Sequence, residues 1–396
     1  MIRDIRQAYN QAFSQERYQV FLDQIQHDYP GQLEFRVAET PVFVPRLLKE
    51  RLIEACESIV DTLTAESFKE WTEQAIPAHQ RVPNEDGHPS FVAIDFAVCQ
   101  DADGELTPQL IELQGFPSIF GFQSYLSENY RRFFPIPDGF SYLFHVDSVE
   151  TYRQHLRRLV LGLEQPENVI LLDIFPEKQK TRIDFAATKD LLGIEPVCLT
   201  KIRKEGRKLY YEKDGRSYHI HRIYNRLIFD ELESMHDLKT AFHLTDDVDV
   251  TWVGHPNWFF RISKYILPLL ESPYVPKSYY LKDLEKYPED LENYVLKPLF
   301  SFAGSGVRLS VTKEDLNAVT DRENFILQQK VKYEPVIEAP DGPVKCEIRM
   351  LYIWHDKDPR PMLITNLARL SRGEMIGVRF NKDFDWVGGS TCFFEK

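Results

Sequence analysis

The chain has 396 residues, 43% of them hydrophobic, and a formal net charge of −13 at pH 7. That length suits two or three domains with real cores. The acidic balance argues against a nucleic-acid partner, while leaving room for a local basic pocket that takes a small anion. No stretch approaches the roughly 20 apolar residues of a membrane-spanning helix, and the first residues carry no apolar leader. The five cysteines have no metal-ligand spacing and read as free thiols in a reducing cytoplasm. The expectation is therefore a cytoplasmic protein with neither membrane nor nucleic acid as partner. Its oligomeric state leaves no mark in the sequence.

Residues 1–80 read as mostly helical scaffold. Over 46–62 the residues Leu47, Leu48, Leu52, Ile53, Ala55, Ile59 and Val60 form an apolar stripe opposite charges. The character changes at Ser90. Residues 91–100 alternate as a strand, with Phe91, Ala93, Asp95 and Ala97 on one face and Val92, Ile94, Phe96 and Val98 on the other. A turn containing Asp103-Gly104 follows, and 108–118 return as a second strand that stops at Gly115 and Pro117. Glu112 and Gln114 share one face of that arm. With Asp95 they gather oxygen ligands at one spot, the donor set Mg2+ prefers. Solvated surface acids are the alternative, but Asp95 sits in an apolar strand, where an isolated charge is costly.

A second unit spans 146–245. It reads as a helix over 151–165, a strand over 168–175, a helix over 181–193 closed by Gly193, and a strand over 195–200. A hairpin over 208–224 turns at Asp214-Gly215. Strand–helix–strand order of this kind predicts a small open α/β domain. Its last strand ends in Tyr224, Asn225 and Arg226. Arg226 is either a clamp for a substrate carboxylate or phosphate, or an arginine held in a structural salt bridge.

The third unit, 246–396, opens with a loop leading into a helix over 253–270 that carries Lys264. In 294–310 a buried strand runs up to Lys297, Pro298 ends it, and Gly304 and Gly306 bracket Ser305. Val307, Leu309 and Val311 then alternate with polar residues as a returning strand. A lysine facing a glycine loop suits a nucleotide's phosphates, because the glycines let backbone N–H groups come close. The spacing is not that of a Walker loop, and a plain hairpin is the other reading. Strands over 324–331, 344–354 and 362–371 follow. Glu347 and Arg349 share a face of the second, and the third carries Arg369, a candidate carboxylate anchor alongside Arg226.

Several of these pieces together resemble the ATP-grasp superfamily: IDF (94–96) with IELQ (111–114), RIYNRLIFDEL (222–232), HPNWFFRISKYILP (255–268) and YVLKPLFSFAGSGV (294–307). Their order is similar to the circularly permuted branch that includes glutathionylspermidine synthase, with the metal hairpin first and the lysine half last. The likeness extends over residues 90–375 in spaced pieces. It implies an α+β or α/β architecture: an ATP-grasp fold in permuted order with a small pre-ATP-grasp-like α/β domain. Residues 1–145 would hold the helical region and the metal-binding half, 146–245 the small domain, and 246–396 the ATP-binding lid. By the same resemblance, Lys264 and Lys297 would contact ATP phosphates, and Gly304, Ser305 and Gly306 would close over them. The backbone of Gln328, Gln329 and Val331 would run along adenine. Asp95, Glu112 and Gln114 would hold Mg2+, and Arg349 with Lys297 would act on the transferring phosphoryl group. This sequence departs from the family pattern at Gln114, where asparagine is usual, at Gln328-Gln329, where an acid is usual, and at Ala93, where arginine is usual. The resemblance implies an ATP-dependent ligase that joins a small carboxylate to an amine or thiol through an acyl phosphate. A weakened nucleotide-binding protein or a small-molecule kinase is the alternative. On this reading Asp95→Ala and Lys297→Ala abolish turnover and leave the fold intact.

Overall fold

The computed structural model describes residues 2–235, 237–300, 306–373, 376, 381 and 383–396. The expected glycine loop falls partly outside this set, since Gly304 and Ser305 are not among the described residues.

A six-stranded antiparallel sheet positions everything else. Its main order is Gly388–Ser390, Met362–Ser371, Gly342–Ile353, Phe91–Gln100 and Leu106–Gln114. The last two form the expected hairpin. Asp101 closes its turn by accepting the N–H groups of Asp103 (3.1 Å) and Glu105 (2.9 Å), and Gly104 takes a positive φ of 85°. One face of the sheet is mainly apolar, with the buried Asn366 opposite Met350 as an exception. Val92, Ile94, Phe96, Ile348 and Met350 share a core with Leu48, Leu52, Ala55 and Ile59 of the helix Arg46–Leu63. Leu47, placed on that stripe by its sequence, is exposed, because the buried arc is set by residues 48, 52, 55, 56 and 59 at helical spacing.

On the opposite face, Phe91, Ala93, Leu351 and Ile353 pack against a parallel four-stranded sheet ordered Thr251–Val253, Arg222–Asn225, Val169–Asp173, Glu195–Cys198. This is the small α/β unit. Its sheet extends past the expected boundary at 245, because Thr251–Val253 pairs with Arg222–Asn225. Helix Arg182–Leu192 ends at Gly193 in the left-handed conformation, with φ 79°. Helix Val149–Leu161 begins at Ser148, whose Oγ accepts the N–H of Thr151, and stops at Gly162, short of the expected 165. The hairpin Lys208–Lys213 to Arg216–Ile220 turns through Asp214 (φ 50°) and Gly215 (φ 72°), the two positive φ values of a type I′ turn.

A three-stranded antiparallel sheet, ordered Ser278–Tyr280, Phe325–Gln329, Tyr294–Pro298, lies over the far end of the central hairpin. Leu296 and Leu327 face a small core of their own with Leu281, Leu291, Val311 and Leu316. Cross-strand partners point the same way, so Val295, Lys297, Ile326 and Gln328 share the other face, toward the central sheet. The expected returning strand is reduced to one bridge, Leu296 to Arg308. Two residues past Ser310, Thr312 and Asp315 form a reciprocal capping box and start the helix Lys313–Asn317. The helix expected to follow the loop within 253–270 is also divided. Helix Asn257–Arg261 ends, Ser263 caps a new turn by accepting the N–H of Tyr265, and Lys264–Leu269 continues as a 3-10 helix containing Pro268. Among the described residues no helix is long and apolar enough to cross a membrane.

Candidate functional site

The site forms where alternation on the central sheet turns from apolar to charged. In register, Arg349 lies opposite Asp95, and Asp95 lies opposite Glu112; one step along, Glu347 lies opposite Arg369. The Asp95–Glu112 pairing depends on a β-bulge. The register passes from Asp95↔Glu112 to Phe96↔Leu110 and leaves Ile111 unpaired. Without the bulge, Ile111 would face Asp95. The carbonyl of Ile111 instead accepts a hydrogen bond from Lys297 Nζ at 3.3 Å.

Asp95, only 1% exposed, accepts a bidentate pair from Arg349, with Nη2 at 2.6 Å from Oδ2. Arg369 Nη2 donates to the same Oδ2 at 2.7 Å and also to Glu347. Tyr333 donates to Glu347 Oε2 at 2.8 Å. Arg349 Nη1 reaches Ser118 Oγ at 3.2 Å. Glu112, with its side chain 25% exposed, lies 3.9 Å from both Lys264 Nζ and Arg349 Nη2, and accepts the amide N–H of Gln114 at 3.1 Å. Four cations thus face three carboxylates, a local excess of positive charge in a chain that is acidic overall.

The charge states follow from that balance. Burial pulls the Lys297 ammonium down to about 8, Lys264 pulls the same way, and Glu112 and Glu347 oppose. Burial pushes Glu112 up, but Lys264, Arg369, Arg349 and Lys297 outweigh it and hold the carboxyl below its usual range. Glu347 goes the other way, raised by burial and by Asp95 and Glu112.

The candidate metal ligands Asp95, Glu112 and Gln114 do meet on one face, and their oxygens suit Mg2+. Asp95 already uses both oxygens on guanidinium groups, which leaves Glu112 and Gln114 as the solvent-reachable candidates. Among the described residues no group of three or more His, Cys, Asp or Glu side chains is placed to hold a metal ion. The burial of Asp95 also revises an expectation. Removing it takes the bidentate carboxylate from Arg349, whose side chain is 12% exposed, and one of two carboxylates from Arg369; breaking a buried pair costs about 3–5 kcal/mol, so Asp95→Ala is expected to destabilise the fold.

Of the expected adenine residues, Gln328 is buried with an Nε2 that has no partner among the described residues, on the same face as Lys297. The N–H groups of Gln329 and Lys330 are taken by the carbonyls of Lys277 (2.8 Å) and Asn293 (2.7 Å). Gln329 and Val331 line a cavity of about 510 Å3 with Cys99, Thr107 and Gln109. Those three lie on the charged face of the central sheet, further along the hairpin. Gly306 has φ 71°, and a Cβ there would lie 2.8 Å from Pro298 Cγ. Lys264 stands on the 3-10 turn that the break at Ser263 brings beside Glu112.

The two carboxylate-anchor candidates separate. Arg369 belongs to the cluster. Arg226 already has a carboxylate, the buried Asp184, and donates to the carbonyl of Ser118 at 3.1 Å. Sequence reasoning missed Glu347, Tyr333 and Ser118 as site residues. Glu347 had a signal, its shared face with Arg349; Tyr333 and Ser118 lie in segments without periodicity.

No protein-family model and no curated protein matches the chain. A solved structure does: a glutathione synthetase-like effector from Globodera pallida in its apo form, with a TM-score of 0.60, 13% identity and 96% of each chain covered. At that identity the likeness concerns fold, and it establishes a mixed α/β protein with a glutathione synthetase-like fold over nearly the whole chain.

Proposed function

We propose that the protein is an ATP-dependent carboxylate–amine (or carboxylate–thiol) ligase, with ATP bound between the central sheet and the small three-stranded sheet. The observation that carries this reading is the convergence of Lys264, Lys297, Arg349 and Arg369 around Glu112 and Asp95, at the seam of the two sheets. The glutathione synthetase-like fold supports it. The chain order, with the Asp95–Glu112 hairpin ahead of Lys264 and Lys297, supports the circularly permuted arrangement.

A carboxylate does not condense with an amine unaided. In the proposed reaction its oxygen attacks the γ-phosphorus and ADP leaves. The amine then attacks the acyl carbon, phosphate leaves, and the nitrogen gives up a proton. The protein's work is positioning and charge neutralisation. Lys297 and Lys264 would hold phosphate oxygens, and Arg349, steadied by Asp95, would face the transferring group. The unpartnered Gln328 amide would gain an acceptor on the nucleotide. Mg2+, held by Glu112 with Asp95 and Gln114 behind it, would supply neutralisation of phosphate charge.

One observation favours a second reading, a nucleotide-binding protein or small-molecule kinase without ligation: both oxygens of Asp95 are committed to arginines. Incubation with ATP and Mg2+ over pairs of small carboxylates and amines separates the readings. A ligase turns over to ADP and free phosphate in equal amounts when both substrates are present, and with the carboxylate alone stops at about one ADP per protein. Multiple-turnover ADP release with a single substrate and no free phosphate identifies a kinase. Binding without ADP release from any pair rules out both activities.

A further inference from the structure

The four-stranded parallel sheet contains a reversal. From Val169–Asp173 the chain crosses to Glu195–Cys198 on one side, and later returns on the other side at Arg222–Asn225. Open parallel sheets bind ligands outside the carboxyl ends of their strands at such a switch point. The residue at that end is Asp173. It is 4% exposed, and its Oδ1 accepts the N–H of Ile174 at 2.7 Å. Among the described residues its carboxylate has no other hydrogen bond and no ion-pair partner.

The charged groups near Asp173 are few. Arg226, which follows the adjacent strand, is spent on Asp184; its side chain is 7% exposed, and its Nε is buried without a partner. Glu231, on the short helix Phe229–Glu233, accepts an amide N–H from Gln179 at 2.6 Å. Burial raises the Asp173 carboxyl to about 7, Arg226 opposes, and Glu231 adds to the rise. A buried acid that feels a second acid's charge, with Arg226 already paired, is a costly arrangement that a ligand's positive charge relieves. The place also adjoins the proposed chemistry. Ser118 accepts from Arg226 through its carbonyl and from Arg349 through its Oγ, so a single residue joins the switch point to the phosphate cluster.

We propose that the acceptor subsite lies at this switch point, where Asp173 binds the alkylammonium group of a small aliphatic amine substrate and the charge of Glu231 assists. The inference rests on the ligase reading and names the class of its second substrate. The unpartnered Arg226 Nε supplies a donor for an oxygen on an amine that carries one.

Calorimetric titration of the full chain tests this, with 1,4-diaminobutane and glycine as the cationic probes, 1,4-butanediol as the uncharged control, and ATP with Mg2+ titrated separately. At pH 8 at least one amine should bind and the diol should not. Asp173→Asn keeps an acceptor for the Ile174 N–H, and should weaken amine binding at least tenfold while leaving ATP binding unchanged. Glu231→Gln should weaken it several-fold and serves as the deciding variant if Asp173→Asn does not fold. Amine affinity should also fall as pH drops below about 7. Which amine binds distinguishes a diamine from an amino acid as the source. Amine binding that survives both substitutions overturns the proposal, as does ATP binding with no amine binding; either result leaves the ligase reading standing. Amine binding lost in Asp173→Asn, with no ATP binding to wild type, keeps the subsite and removes the ligase reading.

Discussion

The two faces of the central sheet are made by the same strands, one residue out of step. One is filled by Val92, Ile94, Phe96, Ile348 and Met350, and its contribution is apolar area removed from water. The other begins alike, with Phe91, Ala93, Leu351 and Ile353 against the parallel sheet, and then turns to Asp95, Glu347 and Arg349 where the small sheet crosses. Ion pairs taken out of water are often no better for stability than apolar side chains of the same size. Leucine and methionine would serve that second half-face as well if holding the fold together were its only task. A charged half-face on a largely apolar sheet therefore marks where the chain gives up packing, at the place proposed for ATP.

The sharpest way to break this contrast is Asp95→Ala, which should destabilise the protein by about 3–5 kcal/mol and remove ATP turnover. A urea midpoint equal to wild type would mean that Glu347, Glu112 and Ser118 suffice to hold the two arginines and that Asp95 is not needed for stability. Lys297→Met should act on ligand binding more than on stability, lowering ATP affinity about a hundredfold, a cost of about 2.7 kcal/mol.

The same lysine predicts a pH effect. Its pKa in the folded protein, about 8, lies below the ordinary 10.5. Below pH 8 it is charged in both states, and burial of that charge weighs on the fold. Between about 8 and 10.5 the unfolded chain keeps a proton that the folded protein has shed, so this group's contribution makes stability rise with pH. ATP affinity, which uses the ammonium, should fall over that window, and Lys297→Arg should flatten the fall.

On the apolar face, Ile94→Val should cost about 0.5–1.5 kcal/mol and leave the ATP response alone. An altered response would show that the faces are not independent. The smallest stability change should come from Gln328→Leu. It removes an unpartnered buried amide, so stability should stay within about 1 kcal/mol of wild type or rise, while stabilisation by ATP shrinks.

Local pattern carried much of this. Alternation through 91–100 exposed Asp95 as a charge among apolar residues, and Asp214-Gly215 and Gly193 fixed a turn and a helix end through backbone conformation alone. The capping box at Thr312 and Asp315 was also written in the chain and could have shortened the expected strand before it. Other features have no local signature. The bulge at Ile111 contains no glycine, yet it decides that Glu112 rather than an isoleucine faces Asp95. The pairing of Phe91–Gln100 with Gly342–Ile353 joins segments far apart in sequence, and it alone turns Arg349 from a residue that shares a face with Glu347 into the partner of Asp95. The fate of Arg226 likewise depended on Asp184, a helical aspartate whose burial no periodicity announced.

The central claim is that the charged half-face binds Mg–ATP, and thermal unfolding of wild type and Lys297→Met with increasing ATP and Mg2+ tests it most directly. Wild type should be stabilised progressively, by about 2.7 kcal/mol at a hundredfold excess over Kd, and Lys297→Met should need far more nucleotide for the same shift. An unchanged melting temperature in wild type, or equal shifts in both proteins, would contradict the account.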